Sequence, residues 1–175
     1  MARKHAVLSA SSAARWLACP PSARLNAEKS DTPSEYATQG TDAHTLCEYK
    51  LCKALGERVR DPTKHLASYD TEMEECAEAY CQFVMEQVEQ FRTESKDTMV
   101  SVEQRVDFSA FVPEGFGTAD TLIISGKTVC IVDYKHGKGI EVSADHNPQM
   151  MCYALGCVQM FDGLYDIDEV RMVIF

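Results

Sequence analysis

Residues 117–135, from Gly117 to Lys135, read GTADTLIISGKTVCIVDYK. Two apolar, partly β-branched segments, residues 122–124 and 129–132, flank the sequence Ser-Gly-Lys at 125–127. Apolar runs separated by such a short glycine-containing break are typical of a β-hairpin. The sequence therefore predicts two antiparallel strands joined by a tight turn.

Each strand of this hairpin carries an aspartate. A two-residue turn at Gly126 and Lys127 would place Asp120 opposite Asp133, because both lie equally far from the turn. Their Cβ atoms would then be about 5 Å apart on one face of the sheet. Like charges at that distance destabilise a sheet unless a cation lies between them. A turn at residues 125–126 would instead leave the two acids only diagonally related.

A lysine follows the second aspartate. Because side chains alternate along a strand, Lys135 points to the same side as Asp133, and Tyr134 points away. Two carboxylates and an amine near one point predict a metal site with an adjacent lysine.

The composition indicates one globular domain over residues 1–175, with a mainly helical part at 1–95 and a sheet core at 96–175. The chain has 175 residues, of which 45% are hydrophobic and 25% charged, values typical of a globular protein with its own core. No apolar run approaches the ~20 residues that span a bilayer, and the N-terminal apolar segment is too short for a signal peptide. We therefore expect a cytoplasmic protein without a membrane partner.

The eight cysteines, with no secretion signal, indicate a reducing compartment. None forms a Cys-x-x-Cys pair, and the three closest pairs are five residues apart in segments that are predicted to be helical. This spacing does not suit a zinc site. We expect small, buried thiols.

The net charge of −10 argues against a nucleic-acid partner, but the charge is unevenly distributed. Residues 70–94 hold eight acids against one arginine, whereas residues 1–27 hold four basic residues and no acid. The acids at 70–94 are expected to form the solvated face of one helix. This distribution permits a nucleic-acid partner without predicting one.

The remaining segments predict an α/β fold. Hydrophobic spacing indicates a short helix within 8–27 with Trp16 as a core anchor, then helices at about 38–55, 68–92 and 147–161, and strands at 99–108 and 169–175. Residues 28–38, 58–67 and 136–146 are expected to be loops. The long segment before the last strand is the crossover that a parallel strand needs. We predict a mixed four-stranded sheet flanked by helices.

Alternation in the strand at 99–108 predicts that its even-numbered residues share one side and its odd-numbered residues the other. Glu103 belongs to the odd-numbered set. It either joins the metal site or faces solvent, and the pattern favours solvent.

Two helices carry polar pairs at four-residue spacing, which places both members of a pair on one helix face. His44 and Glu48 form one pair before the hairpin, and Gln149 and Tyr153 form the other after it.

Taken together, the motifs resemble those of a known family. They are Gly40-x-x-x-His44, Gly117-Thr-Ala-Asp120, Asp133-Tyr-Lys135 and Gln149-x-x-x-Tyr153, with Leu-Ser-Ala-Ser, Trp16 and Cys19-Pro20 near the start. This set is similar to the RecB-like branch of the PD-(D/E)xK nuclease superfamily, including the CRISPR-associated RecB-like exonucleases, and in particular to phage-borne members. The resemblance covers about residues 8–175 and implies a restriction-endonuclease-like core.

The resemblance implies an enzyme that hydrolyses DNA phosphodiesters with Mg²⁺ or Mn²⁺. It implies an exonuclease acting on linear DNA or a single-stranded end, in phage recombination or DNA processing inside a bacterial host. The implied metal ligands are His44, Asp120, Asp133 and the main-chain carbonyl of Tyr134. Lys135 would orient the attacking water.

Other roles follow from the same resemblance. Gln149 and Tyr153 would contact the substrate strand or steady Lys135, and Glu48 would brace His44 or an outer-shell water.

The chain departs from some relatives. Several of them bind a [4Fe–4S] cluster through one early and three late cysteines. Cys19 fits the early position, but no cysteine follows Cys157, so we expect no iron–sulfur cluster. The end of the sequence on a strand suggests a minimal nuclease core or a fragment of a longer protein.

One alternative function stays open: a catalytically inactive nuclease-fold module that binds DNA, or that binds a partner protein or a second copy through its C-terminal strand. The net charge and the exposed edge expected of that strand favour it.

Overall fold

The computed structural model describes residues 6–27, 34–137 and 141–175. The helices in these ranges are α1 (Ala13–Ala18), α2 (Pro21–Ala27), α3 (Glu35–Ala54), α4 (Thr71–Glu94) and α5 (Pro148–Tyr165), with short 3₁₀ helices at Ala10–Ser12 and Thr63–His65. The strands are β1 (Met99–Asp107), β2 (Phe116–Ser125), β3 (Thr128–Asp133) and β4 (Glu169–Ile174). Arg3, Lys4 and the predicted loop residues 28–33 and 138–140 lie outside the described residues.

The sheet confirms the predicted fold class. Its strand order is β1-β2-β3-β4, with β1, β2 and β3 antiparallel to their neighbours and β4 parallel to β3. Helix α5 forms the crossover that the parallel pair requires. The protein is thus an α/β fold with a mixed four-stranded sheet flanked by helices.

The register of the hairpin is also confirmed. Ser125 pairs with Thr128, which leaves Gly126 and Lys127 as the two turn residues. Gly126 has a φ of +56°, a left-handed conformation that glycine adopts at little cost.

Polar side chains fix where the long helices begin. The Ser34 side chain accepts a hydrogen bond from the Ala37 amide at 3.2 Å, so α3 begins at Glu35, three residues before the predicted start. The Asp70 carboxylate caps α4 in the same way at 2.7 Å. Capping side chains satisfy amides that have no partner within the helix.

The sequence predicted one short helix within residues 8–27, and the structure has two, α1 and α2. Pro21 is the first residue of α2, a position where proline is tolerated because its missing N–H would be unpaired anyway. Helix α5 continues to Tyr165, beyond the predicted end at Phe161. Trp16 is buried as predicted, and its indole donates to the Ser9 carbonyl at 2.9 Å.

The sheet separates two hydrophobic layers. The α5 layer contains α1, α5 and one face of the sheet; its buried sheet residues are Val106, Ala119, Leu122, Ile124, Val129 and Ile131, and Phe108, directly after β1, packs with them. The α3–α4 layer contains α3, α4 and the opposite face; its buried sheet residues are Ile123, Cys130 and Val132, with Val100 and Val102 packed against them.

The predicted alternation of β1 was wrong beyond its midpoint. Val100 and Val102 pack into the α3–α4 layer, whereas Val106 and Phe108 pack into the α5 layer, although all four have even numbers. The even-numbered residues of β1 therefore point into the α3–α4 layer before Glu103 and into the α5 layer after it. The reason is Glu103, whose φ of +49° is incompatible with an extended strand and reverses the side-chain sequence.

The side-chain alternation of β2 also reverses, at the residue opposite Glu103. Leu122 and Ile124 lie in the α5 layer, and so does the odd-numbered Ala119. The change occurs at Asp120, which the register between β1 and β2 sets opposite Glu103. The backbone pair Glu103–Asp120 is missing, although the neighbouring pairs Val102–Thr121 and Gln104–Ala119 are both formed.

Surface features agree with the composition. The apolar stripe of α4 is buried, and its acids are exposed except for the half-buried Glu74. All eight cysteines are free thiols; six of them are buried, whereas Cys19 is exposed and Cys76 half-buried. Among the described residues, no helix is both long and apolar enough to cross a membrane.

Candidate metal centre and active site

A cavity of about 460 Å³ opens at the end of the sheet away from the hairpin turn. It is lined by residues from α3, β1, β2, β3, α5 and the segment after β3, together with Ala6, Ser9 and Ser11 from the N-terminal segment. Seven of the nine predicted site residues line it: His44, Glu103, Asp120, Asp133, Lys135, Gln149 and Tyr153. The fold thus brings together motifs that are more than 100 residues apart in the chain.

Three of these side chains form a compact donor cluster. His44, Glu103 and Asp120 each offer a nitrogen or oxygen atom, and these atoms lie within 4.8 Å of one another. The His44 Nδ1 atom is 3.2 Å from the Asp120 Oδ1 atom. Helix α3 supplies the histidine, and the interrupted β1–β2 pair supplies the two carboxylates.

Charge and burial act together on this cluster. Burial alone would lower the pKa of His44, but its hydrogen bond to Asp120 and the charges of Asp120, Asp133 and Glu103 hold that pKa above its ordinary value. Burial, together with the charges of nearby acids including Asp120, raises the pKa of Glu103 to about 7. Both pKa shifts reflect the concentration of carboxylates at the site, and a bound divalent cation would compensate their negative charge.

The backbone holds Asp120 in place. Its second oxygen, Oδ2, accepts a hydrogen bond from the Tyr134 amide at 2.7 Å. The ladder between β2 and β3 ends at the pair Thr121–Val132, so the aspartate side chain replaces the next backbone partner of β3. The prediction that the two acids lie on one face of the sheet was wrong: Asp120 contacts His44 of α3 at 3.2 Å, whereas Asp133 contacts Gln149 of α5 at 2.9 Å.

Asp133, Lys135 and Gln149 form a closed polar ring. The Lys135 Nζ atom is 2.6 Å from Asp133 Oδ2 and donates to Gln149 Oε1 at 3.1 Å. The amide nitrogen of Gln149 donates to Asp133 Oδ1 at 2.9 Å. Lys135 and Asp133 share a side of the strand, as predicted, and α5 completes the ring.

Asp133 is the most deeply buried acid of the site, with 1% of its surface exposed. Burial and then the charge of Asp120 raise its pKa, and Lys135 opposes both effects. Its Oδ2 atom is enclosed and lies 2.6 Å from the Lys135 ammonium, so the lysine compensates the charge of the buried carboxylate.

Tyr153 closes one side of the cavity. Its hydroxyl donates to the Thr118 carbonyl at 2.6 Å and lies 3.4 Å from the Gln149 amide nitrogen. A Cβ atom at Gly117 would lie 2.9 Å from the Tyr153 ring, closer than atoms pack. The glycine of the Gly117-Thr-Ala-Asp120 motif is therefore needed so that the tyrosine can reach β2.

Two predicted residues do not line the cavity. The Tyr134 side chain is buried in the α3–α4 layer, where its hydroxyl lies 3.0 Å from His136 Nδ1; the role of its carbonyl as a ligand stays a prediction. Glu48 is exposed, and no hydrogen bond joins it to His44 within the described part of the chain.

Sequence reasoning missed some of the cavity wall and undervalued Glu103. Ser9, Ser11 and Phe116 line the cavity, although the sequence predicted no role in the site for any of them. Glu103 was expected to face solvent, and it is half-buried in the donor cluster. The serines had a signal in the Leu-Ser-Ala-Ser sequence of the resemblance, whereas the placement of Glu103 depends on a backbone conformation that no sequence pattern indicated.

The donor set fits a hard divalent cation. Carboxylate oxygens are the ligands that Mg²⁺ prefers, and an imidazole shifts preference towards Mn²⁺. The cavity brings together three of the ligands that the resemblance implies, His44, Asp120 and Asp133.

Fold and site define an α/β protein with a mixed four-stranded sheet and a candidate metal centre at one sheet end. The profile of a family described as "Protein of unknown function (DUF2800)" matches residues 5–175, nearly the whole chain. The chain belongs to this family. No solved structure matches it.

Proposed function

We propose that the protein is a metal-dependent deoxyribonuclease that hydrolyses phosphodiester bonds. The observation that carries the proposal is the convergence of His44, Asp120, Asp133 and Lys135 on one cavity. The mixed sheet with a crossover helix is the arrangement expected for a restriction-endonuclease-like core. The resemblance to RecB-like nucleases supports an exonuclease that processes linear DNA in the cytoplasm of a bacterial host or during phage recombination.

The cation would be Mg²⁺ or Mn²⁺, held by His44 and Asp120 with Asp133 nearby. When bound, such an ion supplies Lewis-acid polarisation of a phosphate and lowers the pKa of a coordinated water. The protein contributes a fixed geometry, because Asp120 is tied to the Tyr134 amide and cannot rotate freely.

Lys135 provides the positive charge for the reacting phosphate. The Lys135 side chain is 34% exposed, whereas that of its partner Asp133 is only 2% exposed, so the lysine reaches the open cavity while the aspartate stays in the wall. A cation fixed beside a developing negative charge lowers the barrier without reorganisation during the reaction.

Gln149 and Tyr153 fix the position of Lys135. Gln149 bonds both Asp133 and Lys135, so the lysine is held from two sides. Tyr153 anchors α5 to the Thr118 carbonyl, which keeps that helix against the motif around Asp120.

The test is cleavage of linear DNA, single-stranded and double-stranded, with Mg²⁺ or Mn²⁺. Lys135→Ala should lower the rate by roughly 10²–10³-fold, the usual cost of removing one preorganised charge-stabilising group. Lys127→Ala is the matched control, since Lys127 lies on the turn of the same hairpin and pairs with Asp166 and Asp168 outside the cavity; it should cleave within about twofold of wild type.

Two results would overturn the proposal: no cleavage by the wild-type protein with either metal, or equal cleavage by Lys135→Ala. Metal and DNA binding without any cleavage would instead favour the inactive binding module.

A further inference from the structure

Glu103 stands in the middle of β1 with a left-handed backbone, at a φ of +49°. Non-glycine residues rarely adopt this conformation inside a strand, because the side chain then crowds the backbone. Pairing with β2 is regular on both sides and absent only at Glu103 and the facing Asp120. The strand therefore loses a ladder pair at the position that faces the cavity.

The left-handed residue determines where the carboxylate lies. Glu103 lines the cavity, and one of its oxygens lies within 4.8 Å of donor atoms from both His44 and Asp120. Three donors from three elements thus face one point.

A second observation is independent of this cluster. Asp133 Oδ2, in the wall of the same cavity, lies 2.6 Å from the Lys135 ammonium, and the side chain is 2% exposed. The other oxygen of Asp133 accepts a hydrogen bond from the Gln149 amide nitrogen. Asp133 is therefore engaged by Lys135 and Gln149, which leaves Glu103 as the carboxylate beside His44 and Asp120.

We infer that Glu103 is a third side-chain ligand of a divalent cation, alongside His44 and Asp120, while Asp133 mainly holds Lys135. The motifs behind the resemblance assign no role to a residue at this position. The inference rests on the proposed metal site, but it does not depend on DNA being the substrate or on cleavage taking place.

The test is calorimetric titration of Mn²⁺ into the purified protein. Glu103→Gln keeps the shape of the side chain and removes its charge, and it should weaken Mn²⁺ binding at least tenfold. Glu86→Gln, on the exposed surface of α4, makes the same change in net charge and should leave the dissociation constant within about twofold. Thermal unfolding in EDTA should show that both variants are folded.

A further variant separates ligation from nearby negative charge. Glu103→Asp retains the carboxylate on a side chain shorter by one methylene, and it should bind Mn²⁺ more weakly than wild type but more tightly than Glu103→Gln. Equal binding by Glu103→Gln and wild type would overturn the inference.

The two proposals can fail separately. If wild type cleaves DNA and Glu103→Gln binds Mn²⁺ as tightly as wild type, only the role of Glu103 is wrong. If wild type binds Mn²⁺ through Glu103 and cleaves no DNA, the ligand assignment stands and the nuclease proposal falls. A wild-type protein that binds no divalent cation would overturn both.

Discussion

At the turn end of the β2–β3 hairpin, Leu122, Ile124 and Ile131 are fully buried in the α5 layer, and every pair from Thr121–Val132 to the turn is formed. At the open end, the same two strands carry Asp120 and Asp133. There the β2–β3 ladder has ended, and the pair Glu103–Asp120 between β1 and β2 is missing. The Asp120 side chain accepts the hydrogen bond of the Tyr134 amide in place of a backbone carbonyl.

The turn end of the hairpin therefore contributes stability, whereas the open end carries residues of the candidate site. Burying apolar side chains stabilises the fold by about 25 cal/mol per Å², and the turn end is built of such side chains. Gathering acids disfavours folding unless a cation compensates. The open end is therefore expected to reduce stability in the absence of metal, and the turn end to offset that reduction.

The largest effect is expected at the turn end. Leu122→Ala should lower the free energy of unfolding by about 2–5 kcal/mol, because it removes a fully buried side chain and leaves a cavity. The matched control is Leu164→Ala, since Leu164 is 81% exposed and should change stability by less than about 0.5 kcal/mol. Urea unfolding measures both, and equal losses would contradict the assignment of stability to this end.

The second-largest change in stability is expected where α5 contacts β1. A Cβ atom at Gly156 would lie 2.4 Å from Val106 Cγ1 and 2.8 Å from the Asp107 carbonyl oxygen. Gly156→Ala should therefore destabilise by about 1–3 kcal/mol through overpacking.

The control for this contact lies on the same helix. A Cβ atom at Gly163 would have no neighbouring atom within 4 Å, and Gly163→Ala should stabilise by up to about 1 kcal/mol because alanine favours helix. Thermal unfolding of the two variants should shift in opposite directions; a shift in the same direction would show that the close approach at Gly156 can relax.

At the open end, a substitution should increase stability. Glu103→Gly in EDTA should raise the free energy of unfolding by about 1 kcal/mol, since glycine relieves the left-handed strain and the change removes a carboxylate beside Asp120. Glu114 also has a positive φ, +55°, but lies in the loop before β2. Glu114→Gly should therefore gain less, and a loss of more than about 1 kcal/mol in Glu103→Gly would contradict the account.

The smallest effect is expected for a polar contact outside the site. Lys50 Nζ lies 2.8 Å from Glu78 Oε2, and this hydrogen bond lowers the pKa of Glu78. A carboxylate whose pKa is lowered on folding stabilises the protein above its unfolded pKa of about 4.3, and that stability is lost as the pH falls through the folded value.

Glu78→Gln should therefore cost less than about 0.5 kcal/mol at pH 7, because the carboxylate is 71% exposed, and nothing at pH 2. Urea unfolding at the two pH values gives the comparison. A larger cost at pH 2 than at pH 7 would contradict the sign.

The sequence predicted the regular part of the molecule because local patterns determine it. Gly126 and Lys127 fix the turn, and the turn fixes the register of the hairpin. Alternation then places Lys135 beside Asp133, and helical spacing places Gln149 and Tyr153 together.

The irregular part followed from contacts that no pattern reports. Alternation assumes extended backbone at every residue, and one left-handed residue, Glu103, reverses it. Whether Asp120 would turn towards His44 depended on the packing of α3 against the sheet. The sequence did not predict α2 as a separate helix. A proline such as Pro21 can follow the end of one helix or begin the next, and the sequence alone does not distinguish these two roles.

The most direct test of the nuclease proposal is the rate at which Asp120→Asn cleaves linear DNA at saturating Mn²⁺. Asparagine retains an oxygen that can accept from the Tyr134 amide, so the backbone contact survives while the charge beside His44 is lost. The proposal predicts a rate at least about 100-fold below that of wild type, and a cooperative thermal unfolding transition in EDTA should show that the variant is folded. A variant that cleaves at the wild-type rate would contradict it.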